Sequence, residues 1–90
     1  MKHGRVKVQV NADDIRLGKR EEPCKCPIAR AVRRDCKVRE GVWVYGGYVE
    51  LTSGRESLPL PNKCQTFVER FDGKKKVNPF SFIIKIPSWI

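Results

Sequence analysis

The chain has 90 residues, including 19 Lys or Arg and 10 Asp or Glu, so its formal net charge is +9 at pH 7. With 40% hydrophobic and 32% charged residues, the composition is typical of one small globular domain spanning residues 1–90. No apolar stretch approaches the roughly 18 residues that a membrane span needs, and no signal peptide opens the chain, which excludes a membrane protein and predicts a cytoplasmic one.

The first predicted elements are a strand and a short helix. Residues 5–10 alternate valines with polar side chains, which predicts a half-buried strand. Asn11 follows as a helix N-cap, and two aspartates then fall in the first turn, where carboxylates favour the positive end of the helix dipole. Gly18 permits a left-handed C-terminal cap, so the helix is predicted over about 12–17.

A second helix is predicted to begin at Pro27, because proline suits the first position of a helix. Ile28, Val32 and Cys36 recur at helical spacing and form one apolar stripe. The helix is expected to end near Lys37.

Positive charge is concentrated in residues 16–39, which hold nine bases and three acids and therefore carry +6 of the chain's +9. The bases are Arg16, Lys19, Arg20, Lys25, Arg30, Arg33, Arg34, Lys37 and Arg39. This excess predicts an anionic partner, either nucleic acid or a nucleotide-like anion. The residues expected to contact it are Lys25, Arg30, Arg33, Arg34 and Lys37, since the arginine fork suits phosphates. The alternative is a solvated helix face.

Residues 42–51 carry the clearest β signal. Two adjacent glycines permit a two-residue hairpin turn, so Tyr45 is expected to face Tyr48, and Val44 to face Val49. By alternation, one face of this hairpin holds Val42, Val44, Val49 and Leu51, and the other holds Trp43, Tyr45, Tyr48 and Glu50.

The remaining elements are a loop over 52–57, a helix that opens at Pro61 and closes at Gly73, and a last strand over 80–86. The order β-α-α-β-β-α-β predicts an α+β fold. We expect an antiparallel four-stranded sheet with helices packed on one face.

The outer face of that predicted sheet is a second candidate site. Its outward residues are Arg5, Lys7, Gln9, Trp43, Tyr45, Tyr48, Ile83 and Lys85. Aromatic rings interleaved with cations are typical of a platform that stacks unpaired bases and holds phosphates. The alternative is that a second subunit or the C-terminal residues 89–90 cover these rings.

Four cysteines, at positions 24, 26, 36 and 64, are predicted to be reduced thiols. Cys26 begins the second helix, where the dipole and the free amides lower a thiol pKa and attract anions. A ligand carrying phosphate or carboxylate can therefore dock there, beside Lys25 and Arg30. Zinc is the alternative ligand of the four thiols, but the Cys24-x-Cys26 spacing is short for a zinc knuckle, so no metal is predicted.

Catalysis has little support in this sequence, and we expect a non-enzymatic protein without a cofactor. His3 lies close to the terminus, with no nucleophile motif around it. Asp13 and Asp14 are paired carboxylates, but their place in the first turn of a helix explains them.

Four short motifs resemble those of small phage- and prophage-encoded proteins of unassigned function. They are residues 14–18 (DIRLG), 24–31 (CKCPIARA), 67–73 (FVERFDG) and 77–82 (VNPFSF). The resemblance extends over most of the chain. It implies a phage accessory or host-takeover protein in the host cytoplasm, and it carries over no catalytic residue.

These observations predict a small binding protein that engages nucleic acid or a nucleotide-like anion through the basic helix and loop and through the sheet face. The second hypothesis is a protein-interaction module, either an inhibitor of a host protein or a homodimer through Trp43, Tyr45 and Tyr48. The third is a zinc-stabilised module.

Overall fold

A computed structural model describes residues 4–38, 41–45, 47–51 and 56–86, in which there are five strands and three helices. In chain order these are β1 (Gly4–Val10), α1 (Ala12–Leu17), α2 (Pro27–Asp35), β2 (Trp43–Val44), β3 (Tyr48–Leu51), β4 (Glu56–Pro59), α3 (Asn62–Asp72) and β5 (Phe80–Ile86). The α+β class and the antiparallel pairing are confirmed. Among the residues singled out from the sequence, four places lie outside the described residues: His3, Arg39, Gly46 of the predicted two-glycine turn, and residues 89–90.

The strands form two antiparallel sheets, so the predicted single four-stranded sheet is wrong. β1 pairs with β5, whereas β2, β3 and β4 form a separate three-stranded sheet in that order. β4 was not predicted, and half of it falls within the loop predicted over 52–57; residues 52–55 lie outside the described residues. β4 has four residues and ends in Pro59, so it is too short for an alternating pattern to be recognised. In the structure it pairs with one edge of β3, where Leu58 lies opposite Val49.

The β1–β5 ladder has the register that the alternation of both strands requires. Val8 lies opposite Phe82, Val10 lies opposite Phe80, and Val8, Val10 and Phe82 are almost fully buried. The opposite face of the ladder is exposed and consists of Arg5 opposite Lys85 and Lys7 opposite Ile83. This ladder therefore joins the two ends of the described chain over the core.

The β2–β3 hairpin confirms the predicted register. Val44 lies opposite Val49, and the Tyr45 amide donates to the Tyr48 carbonyl oxygen at 2.9 Å. The four side chains of the predicted inner face are buried: Val42, Val44, Val49 and Leu51. The tyrosines consequently lie on the opposite, exposed side.

α1 begins with a reciprocal capping box. The Asp14 amide donates to Asn11 Oδ1 at 2.8 Å, and the Asn11 amide donates to Asp14 Oδ2 at 3.1 Å, which confirms the predicted N-cap. The predicted left-handed cap at Gly18 is wrong, because its φ is −69° and its ψ is 159°. Glycine is required there by packing instead, since an added Cβ would lie 2.7 Å from Pro27 Cδ at the start of α2.

Replacing Gly18 with alanine is expected to destabilise the protein by about 2 kcal/mol, because the new methyl group forces α1 away from α2. Urea denaturation followed by circular dichroism measures this loss. Gly4→Ala is the matched control, since a Cβ at Gly4 meets nothing within 4 Å. Equal denaturation midpoints for the two variants would contradict the packing role of Gly18.

α2 lies at the centre of the core. Pro27 occupies its first position, as predicted, and Ile28, Ala29, Ala31 and Val32 are fully buried. The two alanines allow the helix to approach its neighbours closely, and α2 packs against β1, α1 and β2. One face of α2 is thus committed to the core, which leaves its charged residues on the opposite face.

α3 starts one residue after Pro61 and is capped by Gly73, close to the predicted bounds. It buries Cys64, Phe67 and Phe71. In the described ranges, no helix is both long enough and apolar enough to cross a membrane.

Candidate anion-binding site

Four cations on and just after α2 line one groove. Arg30, Arg33 and Arg34 have the i, i+3 and i+4 spacing that places side chains on one side of a helix, and Lys37 lies two residues beyond the end of α2. They surround a groove of about 600 Å³ whose other lining residues are Asp14 and Val38. We call this feature the α2 groove. It brings together four of the residues that the sequence predicted as phosphate ligands.

Asp14 is the single carboxylate that lines the α2 groove, and only 1% of it is exposed. Arg34 Nη1 donates to both of its carboxylate oxygens at 3.0 Å, and Arg30 Nε lies 3.5 Å from Oδ1. Helix capping accounts for Asp14 in the sequence, but this ion pair was not predicted. No local signal could reveal it, because the partners are separated by about one fifth of the chain.

Arg34 is held in place from several directions. Its Nη2 donates to the Gln9 carbonyl oxygen, and its Nε donates to Asp35 Oδ1 at 2.9 Å. The hydrogen bond to Asp35, together with that to Asp14, raises the pKa of the Arg34 guanidinium. Partial burial opposes ionisation of Asp35, but hydrogen bonds from Arg34 and the Gln9 amide outweigh it and lower the Asp35 pKa. Arg34 therefore ties α2 to α1 and β1.

Arg33 and Lys37 differ from Arg34, because neither lies in an ion pair within the described part of the chain. Arg33 Nη2 donates to the Cys24 carbonyl oxygen at 2.9 Å. Lys37 follows the end of α2 with a left-handed φ of 59°, and the next amide, of Val38, donates back to the Arg33 carbonyl oxygen at 3.2 Å. This turn holds Lys37, an exposed residue, at the rim of the groove.

The loop before α2 does not extend the basic groove. Lys25 Nζ lies 3.8 Å from Glu22 Oε1, and Lys25 is not among the residues that line the groove. Glu21 and Glu22 instead line a cavity of about 250 Å³ together with Asp72. The predicted basic segment therefore has two parts. In the loop before α2, Glu22 offsets the charge of Lys25, whereas the cations that line the α2 groove outnumber its single carboxylate.

The predicted sheet-face residues lie on two different sheets. Arg5, Lys7 and Lys85 are on the β1–β5 ladder, whereas Trp43, Tyr45 and Tyr48 are on the β2–β3 hairpin. The two tyrosine rings stack on each other with centroids 5.4 Å apart, and they are 44% and 41% exposed. Trp43 is half-buried. An interleaved face of rings and cations on one sheet is therefore absent from the described structure.

No protein-family model, curated protein or solved structure matches this chain. The resemblance to small phage proteins stays a prediction.

The Cys26 thiol is buried, and the lowered pKa predicted for it at the start of α2 is wrong. Burial raises the pKa of Cys26 above its ordinary value, which reverses the lowering expected at a helix start. Its Sγ is 3.4 Å from the Ala29 amide and accepts a hydrogen bond from it, so the thiol caps α2. In the described ranges, no group of three or more His, Cys, Asp or Glu side chains is arranged to hold a metal ion.

The cysteines are expected to differ strongly in reactivity. Burial raises the pKa of Cys36 to about 11 and that of Cys64 to about 12, so both remain thiols at pH 8, whereas Cys24 is half-buried. Iodoacetamide at about pH 8 should therefore label Cys24 first, since the thiolate is the nucleophile. Mass spectrometry of timed digests measures this order. Rapid labelling of Cys64 in the folded protein would contradict it.

Proposed function

We propose that the protein is a non-enzymatic nucleic-acid-binding protein whose α2 groove binds backbone phosphates. The observation that supports this function is the set of four cations on one groove beside a single, buried carboxylate. Asp14 is already shared by Arg30 and Arg34, so the positive charge of Arg33 and Lys37 remains available to an external anion.

The length of the groove favours a polyanion over a single small anion. Arg30 and Arg34 are four positions apart in α2, which corresponds to about 6 Å along the helix axis, and Lys37 lies beyond the end of the helix. Cations spread along a groove in this way suit a row of phosphates better than one small anion. Arginine forks on such a row can each contact a phosphate with two donors.

The resemblance of the chain to small phage proteins supports a role for this binding in a phage accessory protein in the host cytoplasm. The α2 cations that would contact nucleic acid include Arg30, which lies within the motif at residues 24–31. Crosslinking in host cells that express the protein would identify the partner, with a nuclease-treated lysate as the control.

Fluorescence anisotropy tests the proposed function directly. The full chain is titrated into labelled single-stranded DNA, single-stranded RNA and duplex DNA at about 50 mM and about 200 mM salt. We expect binding that is tightest at the lower salt concentration and weakens linearly on a log–log plot. Absence of binding to all three probes at about 50 mM salt would refute the proposal, since counterion release is most favourable there.

A second candidate function is a protein-interaction module formed by the hairpin. The stacked pair of Tyr45 and Tyr48 is the observation that favours it, because both rings are exposed beside the half-buried Trp43. Size-exclusion chromatography with light scattering measures the oligomeric state. A native dimer that is lost in Tyr45→Ser/Tyr48→Ser would support a homodimer. If the native chain and the double variant are both monomers, the homodimer is excluded and a host protein remains as the candidate partner.

A further inference from the structure

A second basic groove lies between α3 and the segment that precedes β5. Lys63, Thr66 and Arg70 follow helical spacing along one face of α3 and line this groove of about 420 Å³. Lys76 and Asn78 line the opposite wall. We call this feature the α3 groove.

A tight turn brings that opposite wall back along α3. Lys74 adopts a left-handed φ of 62°, and the Lys75 amide donates to the Arg70 carbonyl oxygen at 2.8 Å. Arg70 Nη2 and Nε in turn donate to the Lys76 carbonyl oxygen at 3.1 and 3.3 Å. These hydrogen bonds hold Lys76 beside α3, whereas Lys74 and Lys75 are not among the residues that line the groove.

The charge of the α3 groove is uncompensated. Its lining residues include Lys63, Arg70 and Lys76 and no carboxylate. None of these three cations lies in an ion pair within the part of the chain that the structure describes. Three cations that line one concave site favour a ligand that carries a phosphate.

The floor of the α3 groove is aromatic. Phe67 and Phe80 both line it, and their ring centroids are 4.9 Å apart. Phe67 is 6% exposed and packs into the core, whereas Phe80 is half-buried. Thr66 and Asn78 add a hydroxyl and an amide at the walls. A ligand that combines a phosphate with a flat apolar group and hydrogen-bonding edges matches all three parts of this lining.

We propose that the α3 groove binds a nucleoside monophosphate, either free or as one unit of a single-stranded nucleic acid. The phosphate lies among Lys63, Arg70 and Lys76, and the base contacts the aromatic floor. The volume of the groove lies in the range of small-molecule sites. This site involves no residue of the α2 groove, so it stands independently of the proposed function.

Titration of the full, isotopically labelled chain with thymidine monophosphate, followed by amide NMR shifts, tests the site. We expect the largest shifts at Thr66, Arg70 and Asn78. Lys63→Ala/Lys76→Ala should weaken binding by at least about fivefold, because two charge-assisted contacts are removed. The matched control Lys74→Ala/Lys75→Ala removes the same charge beside the groove and should change affinity by less than about twofold, through the screened field alone.

Several outcomes would overturn the proposal. One is the absence of shifts around the α3 groove; another is an equal loss of affinity in the two double variants, which would indicate general charge attraction. Inorganic phosphate that binds as tightly as thymidine monophosphate would overturn the contribution of the base. An oligothymidylate of about eight nucleotides, titrated into Arg33→Ala/Lys37→Ala so that the α2 groove contributes little, distinguishes the two sources of the ligand. Tighter binding than the mononucleotide indicates nucleic acid, and weaker binding indicates a free nucleotide.

Failure of this site and failure of the proposed function are distinguishable. Arg33→Ala/Lys37→Ala alters only the α2 groove, so the affinity for thymidine monophosphate measured from the shifts at Thr66 and Asn78 should change by less than about twofold. Loss of mononucleotide binding in that variant would contradict two independent sites. Oligonucleotide binding without mononucleotide shifts at Thr66 or Asn78 would refute the α3 site alone.

Discussion

Arg33→Ala/Lys37→Ala is expected to weaken binding to single-stranded DNA by roughly 50-fold at about 50 mM salt. Each lost phosphate contact removes about 0.7 from the slope of log affinity against log salt, so two contacts reduce the slope by about 1.4. If the variant and the native protein bind equally at about 1 M salt, a slope smaller by about 1.4 corresponds to the expected loss of affinity at about 50 mM salt. Anisotropy titrations at four or more salt concentrations measure both quantities.

Arg5→Ala/Lys85→Ala is the charge-matched control for this experiment. The two residues lie opposite each other on the exposed face of the β1–β5 ladder, and they were themselves predicted phosphate ligands. If the α2 groove is the binding site, their removal should change the slope by much less than 1.4. Equal losses in the two double variants would show that net charge alone governs binding and would contradict the groove.

Arg33 and Lys37 are better test positions than Arg34, although all three line the groove. Arg34 donates to Asp14, Asp35 and the Gln9 carbonyl oxygen, so its removal damages the fold as well as the groove. The Arg33 guanidinium donates to the Cys24 carbonyl oxygen and to no carboxylate among the described residues, and Lys37 is exposed. Circular dichroism of the Arg33→Ala/Lys37→Ala variant should therefore remain that of the native protein.

Local patterns predicted most individual elements of this fold. The capping of α1 by Asn11, the start of α2 at Pro27 and the pairing of Val44 with Val49 all depend on residues close in sequence. The arrangement of the strands depends on edges that are distant in sequence. β4 is too short for periodicity to identify, although it occupies one edge of β3. At the other edge of this sheet the Val44 amide donates to the Pro23 carbonyl oxygen, and β1 pairs only with β5 among the described strands.

The same distinction applies to the candidate site. The sequence predicted Arg30, Arg33, Arg34 and Lys37 as phosphate ligands, and all four line the α2 groove. It could not show that Asp14 lies beneath them, because that contact joins α1 to α2. Nor could it separate the rings of the hairpin from the cations of β1 and β5, since that separation follows from sheet topology.

Asp14→Ala is expected to destabilise the protein by about 3 kcal/mol, the largest effect that we predict for a single substitution. The carboxylate is almost fully buried, caps α1 through Asn11 and pairs with Arg34. Breaking a buried ion pair costs about 3–5 kcal/mol, and the lower end applies because the Arg34 side chain is 43% exposed. For a chain of this size, the midpoint of thermal unfolding should fall by roughly 12–20 °C.

Asp13→Ala is the matched control, because Asp13 precedes Asp14 in the same turn but pairs with Arg16 on the surface, where both side chains are at least two-thirds exposed. Its unfolding midpoint should barely change. A double-mutant cycle between Asp14→Ala and Arg34→Ala should give a coupling of about 1–2 kcal/mol, since each single variant leaves the other group unpaired. Additive losses would show that Asp14 acts only as a helix cap, and Arg34 would then belong with Arg33 and Lys37 among the cations available to a ligand.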